Sequence, residues 1–316
     1  MAAHQLLFAA LVTVAAPAVL GRAGWVHRSP RLGIAAWYSA LAAVLSGVGA
    51  ATAALLAPWR RADAPVCVAW RWCLQAVRGD YGVTGRMAAA AVVAVTAVML
   101  IRLLVCGVRF TRRQSAHRRQ HLQLLRLAGR ESPELGATVL DCAQPAAYMV
   151  AGHGRRVVVT TGAVATLRDE ELAAVLAHER AHATGRHDLL LNGVRLLRSA
   201  FPRLPLFVTA WHELCRLVEL RADEVAATQH QPLNLARALV AMAGASSPEA
   251  PAGSVAATGG DAATRLRRLL SPPQRLSGAQ QGLIGTGVAV VAVTPTLALA
   301  ASWMFPTVAT CLLLPL

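Results

Sequence analysis

Four stretches of this chain are apolar over lengths that match a lipid bilayer, and nothing else in the sequence constrains its fold as strongly. A crossing helix takes about 20 such residues. Gln5 to Gly21, Gly33 to Ala57, Met87 to Val108 and Gly282 to Phe305 qualify. The first is the shortest and contains Pro17, and the last contains Pro295. Arg102 lies close enough to the end of the third to snorkel. Composition agrees: 55% of the 316 residues are hydrophobic and only 15% are charged, where a soluble domain carries about 25%. A disordered chain is excluded by the same numbers.

Orientation follows from the arginines, which supply all 31 basic residues and a formal charge of +15. Arg109, Arg112, Arg113, Arg118, Arg119 and Arg126 follow the third stretch, and Arg265, Arg267, Arg268 and Arg275 precede the fourth. Positive flanks stay in the cytoplasm, so residues 109–281 are expected inside the cell. The N-terminus, the 58–86 loop and the tail are then expected outside. Ala16-Pro17-Ala18 resembles a signal-peptide cleavage site, but Met1 to Gln5 lacks the basic start such a peptide needs. The first stretch therefore reads as a membrane helix. Cys67 and Cys73 fall in the outer loop, where a disulfide and two free thiols are both open readings. The arginine run at 109–130 reads as a juxtamembrane cluster against the lipid bilayer. Aromatic residues scarcely interleave with it, so direct nucleic-acid binding is not expected.

Between the third and fourth stretches the pattern changes. Ala137 to Cys142 reads as a strand, and Ala147 to Val150 with Arg156 to Thr161 reads as a hairpin about Gly152-His153-Gly154. Asp169, Glu170 and Glu171 place negative charge on the first turn of a helix that runs to Thr184, with Gly185 as its cap. Leu189 to Phe207 is amphipathic, interrupted by Arg195, Arg198 and Arg203, and suited to a membrane surface. A further helix covers Thr209 to Ala227, and Gly244 to Gly260 has a linker's composition. The expected organisation is three membrane helices in 1–108, a cytoplasmic catalytic domain in 109–243, a linker and basic juxtamembrane helix in 244–281, and a fourth membrane helix with a short tail in 282–316.

The helix at 169–184 carries His178-Glu179-Arg180-Ala181-His182, an H-E-x-x-H pattern. Residues four apart share a helix face, so both imidazoles can reach one zinc ion, one per chain. The intervening Glu179 can take a proton from a water that this ion activates. Such a site needs a third protein ligand. Glu219 is one candidate, with Asp223 one turn later able to orient a ligating histidine. Asp188 is the other, because H-E-x-x-H-x-x-G-x-x-D places Gly185 and Asp188 where metzincins place a glycine and a ligand. His212-Glu213 has Arg216 at the fourth position and cannot make the histidine pair. His117, His153 and His187 read as exposed. The Arg156 to Thr161 strand could take substrate by strand addition if it is an edge.

These residues resemble a known group. Four spans, the H-E-x-x-H domain between the third and fourth, and E-x-x-A-D at Glu219 to Asp223 are similar to the BlaR/MecR-type membrane zinc metallopeptidases, relatives of the HtpX and CAAX-protease gluzincins. Pro145 to Asp188 carries most of the likeness. The resemblance implies a mainly α membrane protein of four transmembrane helices with an α+β gluzincin-like peptidase domain. It also implies His178, His182 and Glu219 as zinc ligands and Glu179 as general base. The substrate it implies is a cytoplasmic or membrane-proximal protein, such as a winged-helix transcriptional repressor. Sensor members carry a penicillin-binding domain after the fourth span, where only Pro306 to Leu316 stand here, so β-lactam sensing is not expected. The contrasting reading is a non-enzymatic membrane signalling protein that keeps the metal site to bind a regulator.

Overall fold

Helices built largely of Ala, Val and Leu leave much of their surface to lipid, and of the four here only the second is more than half buried against its own chain. The computed structural model describes residues 2–56, 82–150, 156–245, 259–271 and 276–304. Four helices in it are long and apolar enough to cross a membrane. They are α1 (Ala2–Arg22), α3 (Pro30–Leu56), α4 (Gly82–Ala128) and α11 (Gly278–Met304), with a short α2 (Gly24–Arg28) between the first two. Leu7, Val14, Val98, Ile101, Leu104 and Leu283 are fully or largely exposed on them, which is where lipid belongs. Polar side chains tie the bundle from within. Gln5 of α1 donates to the Pro295 carbonyl of α11 at 3.3 Å, and Ser39 of α3 to the Val288 carbonyl at 2.6 Å.

The third expected span is the beginning of something longer. α4 has 47 residues, about 70 Å at 1.5 Å each. Its arginine run continues the membrane helix as one rod, with residues 111–120 all exposed. At its end the chain turns into β1 (Gly129–Ser132), β2 (Ala137–Leu140), β3 (Ala147–Val150) and β4 (Arg156–Thr160). The strand order is β1-β2-β4-β3, with only the β2–β4 pair parallel. The expected hairpin forms, pairing Tyr148 with Val158. The strand at 156–160 is internal, so it cannot take substrate by strand addition; the edges are β1 and β3. Alternate side chains leave a strand on opposite faces. Val157 and Val159 meet the helix that carries the histidines, and Val158 meets Leu125 of α4.

Six more helices follow: α5 (Thr161–Thr166), α6 (Asp169–Thr184), α7 (His187–Ala200), α8 (Pro205–Gln229), α9 (Pro232–Ala245) and α10 (Gly259–Leu270). The amphipathic stretch expected at 189–207 is two helices. Pro202 lacks the N–H that a continuing helix needs, and Pro205 occupies the first turn of α8, where that lack costs nothing. α7 also packs among the spans. Tyr38 of α3 donates to the Leu190 carbonyl, and Arg102 of α4 donates to Ala200 at the helix's last turn.

α8 joins the two halves of the molecule. Its first half buries Leu206, Phe207, Ala210, Leu214 and Leu217 in a core with Trp37 and Leu41 of α3 and Val26 of α2. Its second half buries Ala226 against α6, β4 and α9. Glu213, the residue excluded above from a metal pair, meets His27 of α2 at 3.0 Å. The turn at 22–32 and the domain that follows α4 therefore lie on one side of the spans. Cys67, Cys73, His153 and the tail from 305 lie outside the described residues.

Candidate active site

Glu171 accepts from the Arg168 backbone N–H at 3.2 Å and closes the first turn of α6. Leu172, Val175 and Leu176 then seat the helix on the valine face of the sheet. That seating turns the next face of α6, with His178 and His182, toward α8. Their Nε2 atoms stand 3.1 Å apart. Glu219, midway along α8, brings Oε2 to 3.5 Å from His178 Nε2 and Oε1 to 3.5 Å from His182 Nε2. Among the described residues this trio forms the group able to hold a metal ion, and Asp188 is not part of it. A tetrahedral zinc with bonds of about 2.0–2.1 Å separates its ligand atoms by about 3.3 Å, which the three observed distances straddle.

Each group is supported from behind. Asp223, 3% exposed, places Oδ1 at 3.0 Å from His178 Nδ1. Arg265 of α10, 7% exposed, donates to both Asp223 oxygens at 2.8 and 2.7 Å and reaches Glu219 Oε2 at 3.1 Å. Burial works against charge on His178, but Asp223 and Glu219 prevail and raise its pKa to about 9. Burial, reinforced by the Glu219 charge, pushes the Glu179 carboxyl up to about 7. Burial favours the neutral acid at Glu219 too, yet the hydrogen bond from His178 and the surrounding cations hold it at about 2. His182 falls to about 4, mainly because burial opposes its charged form.

Charge supplies an independent test of fit. Glu179, Glu219 and Asp223 face the guanidinium of Arg265, so once His178 and Glu179 give up their protons the excess of two negative charges matches a divalent cation. Two imidazoles and a carboxylate form a donor set suited to zinc.

A model of peptidase family M48 matches residues 111–272, just over half of the chain. The chain belongs to peptidase family M48. These are membrane zinc metallopeptidases of the HtpX/Ste24 type, and they depend on zinc. The histidine pair, the Glu219 carboxylate and the four long apolar helices are thus those of a multi-pass membrane zinc metallopeptidase. No curated protein and no solved structure matches the chain.

Two residues at the site escaped the sequence reading. Arg265 reads in the sequence as part of the basic flank of the fourth span, but it turns inward, and no local signal separates it from its exposed neighbour Arg267. His187 reads as solvated in the sequence and is buried in the structure, its ring edge-on to His182. Tyr148 faces α4, where its ring meets that of His121 at a tilt of 50°, on the side of the sheet away from α6.

Proposed function

We propose that this family M48 peptidase is an endopeptidase acting on a cytoplasmic or membrane-proximal protein, with His178, His182 and Glu219 as zinc ligands and Glu179 as general base. The observation that carries the proposal is the convergence of both Nε2 atoms of α6, the helix that also bears Glu179, and the Glu219 carboxylate of α8 within one zinc ion's reach. Zinc, when bound there, supplies Lewis acidity that polarises a peptide carbonyl and lets water attack near neutral pH. Glu179 removes a proton from the attacking water and returns it to the departing amine. Burial raises this carboxyl to about 7 in the metal-free protein, so it takes up a proton more readily than an exposed carboxylate does. Asp223 holds His178 by Nδ1, so that Nε2 keeps its lone pair for the ion.

Substrate would lie along β3. This strand is at the sheet edge, and its Met149 makes a backbone hydrogen bond to Glu179. An extended peptide pairing with that edge puts its carbonyls beside the general base. Arg265 of α10 carries the domain past the limit expected at 243. The domain start near 109, the cytoplasmic placement of the catalytic domain and the outward termini belong to the same proposal. They rest on the arginine flanks of the spans. Likeness to the BlaR/MecR-type antirepressors makes a winged-helix transcriptional repressor the specific substrate to test.

Glu179→Gln is the test. It should leave zinc bound and lower hydrolysis by about 10²–10⁴-fold. Comparing the proteomes of cells carrying the intact protein and the variant should then reveal the substrate as a fragment missing from the variant. Hydrolysis that persists unchanged in Glu179→Gln refutes the mechanism.

A further inference from the structure

The mechanism above leaves His187 unused, although it is 4% exposed and touches a proposed ligand. Its Nδ1 lies 3.0 Å from Nδ1 of His182, and the rings meet at 90° with centroids 4.8 Å apart. Nδ1 of His182 is on the far side of the ring from Nε2, the atom directed at His178 and Glu219. His187 therefore approaches from behind, and its Nδ1 does not compete for the ion.

Two neutral imidazoles in such contact share one hydrogen, with one nitrogen donating and the other accepting. Nε2 of His182 can ligate only with its lone pair free, so its proton must sit on Nδ1. We infer that His187 is a positioning residue: its Nδ1 accepts that proton's hydrogen bond, and so fixes the tautomer and the ring orientation of His182. The partner of a zinc-bound histidine is commonly a carboxylate, a carbonyl or water. Here His178 has the carboxylate of Asp223 and His182 has an uncharged ring, so the two ligands differ in donor strength.

The turn between α6 and α7 is built to make this contact. Arg186 adopts φ 50°, ψ 38°, the left-handed conformation that a side chain disfavours. It is the one non-glycine residue with positive φ among those described. That turn swings His187 back over Gly185. A Cβ at Gly185 would stand 2.4 Å from His187 Nε2 and 2.7 Å from its Cδ2. Gly185 itself is in ordinary helical conformation, φ −73°, so it is the approach of the ring that requires a glycine there.

The inference rests on the reading of His178, His182 and Glu219 as the zinc site, and the experiment separates the two. Zinc affinity, from competition with a chelator, and the cobalt(II) absorption spectrum are measured on the full-length protein in detergent micelles. His187→Phe keeps the ring volume without the acceptor, and should weaken zinc about 10–100-fold and shift the cobalt bands. His187→Asn places an oxygen near the position of Nδ1 and should recover most of the affinity and the native bands. Gly185→Ala keeps the imidazole but displaces it, and should reproduce the His187→Phe spectrum. Native affinity and native bands in either His187→Phe or Gly185→Ala overturn the inference while the zinc site stands. Zinc retained at full affinity by His178→Ala overturns the site itself.

Discussion

The charges buried around the histidine pair make zinc affinity strongly dependent on pH, with a calculable slope. In the metal-free protein His178 holds its proton up to about pH 9 and Glu179 up to about pH 7. Asp223 and Glu219, both held at about 2, stay ionised across that range, and His182, at about 4, stays neutral. A ligand must offer a lone pair, so zinc has to displace the His178 proton wherever it is bound. Since the pKa is raised, that is everywhere below about pH 9. Affinity then falls about tenfold for each pH unit below 9, or about a hundredfold from pH 8 to pH 6. Glu179 is mostly ionised at pH 8 and mostly protonated at pH 6, and if the cation expels its proton the loss deepens to about a thousandfold, some 4 kcal/mol. Chelator competition on the full-length protein, corrected for the chelator's own protons, measures this directly. Titration in two buffers of different ionisation enthalpy counts the protons released. A decline of less than about tenfold from pH 8 to pH 6 would show that His178 is already neutral in the metal-free protein. The account of its pairing with Asp223 and Glu219 would then be wrong.

Two further perturbations probe the supports of the site. Arg265→Met leaves Asp223 buried without its cation and should cost about 3–5 kcal/mol, read as denaturant unfolding followed by tryptophan fluorescence. Stability within about 1 kcal/mol of the native protein would mean that the guanidinium is not what neutralises Asp223. Leu217→Ala opens a cavity where α8 packs against the spans and should cost about 2–5 kcal/mol in the same assay. A loss below about 0.5 kcal/mol would argue against the shared core of α3 and α8.

What the sequence disclosed and what it hid divide along a physical line. His178 and His182 are legible because a spacing of four is itself geometry once the segment is a helix. Glu219 is legible as a candidate because Asp223 shares its face one turn later, but Asp188 fits a longer motif, and only a tertiary contact shows which of the two meets the histidines. The membrane helices announce themselves by length and polarity alone. Arg265 is hidden because its partners lie across 42 residues and its own neighbourhood is a run of arginines. His187 is hidden because its burial depends on the left-handed turn at Arg186, a conformation no residue type there advertises. β1 is hidden because an edge strand reading Gly-Arg-Glu-Ser with its middle residues exposed has no apolar alternation to detect. α7 and α8 blur into one amphipathic stretch until Pro202 and Pro205 are given opposite roles, one ending a helix and the other beginning one.

The measurement that bears most directly on the account is the zinc content of the purified full-length protein and of two single variants, by elemental analysis against protein concentration. The account predicts about one zinc per chain in the native protein and in Asp188→Ala, and loss of that zinc in Glu219→Ala. Zinc kept by Glu219→Ala and lost from Asp188→Ala would contradict it.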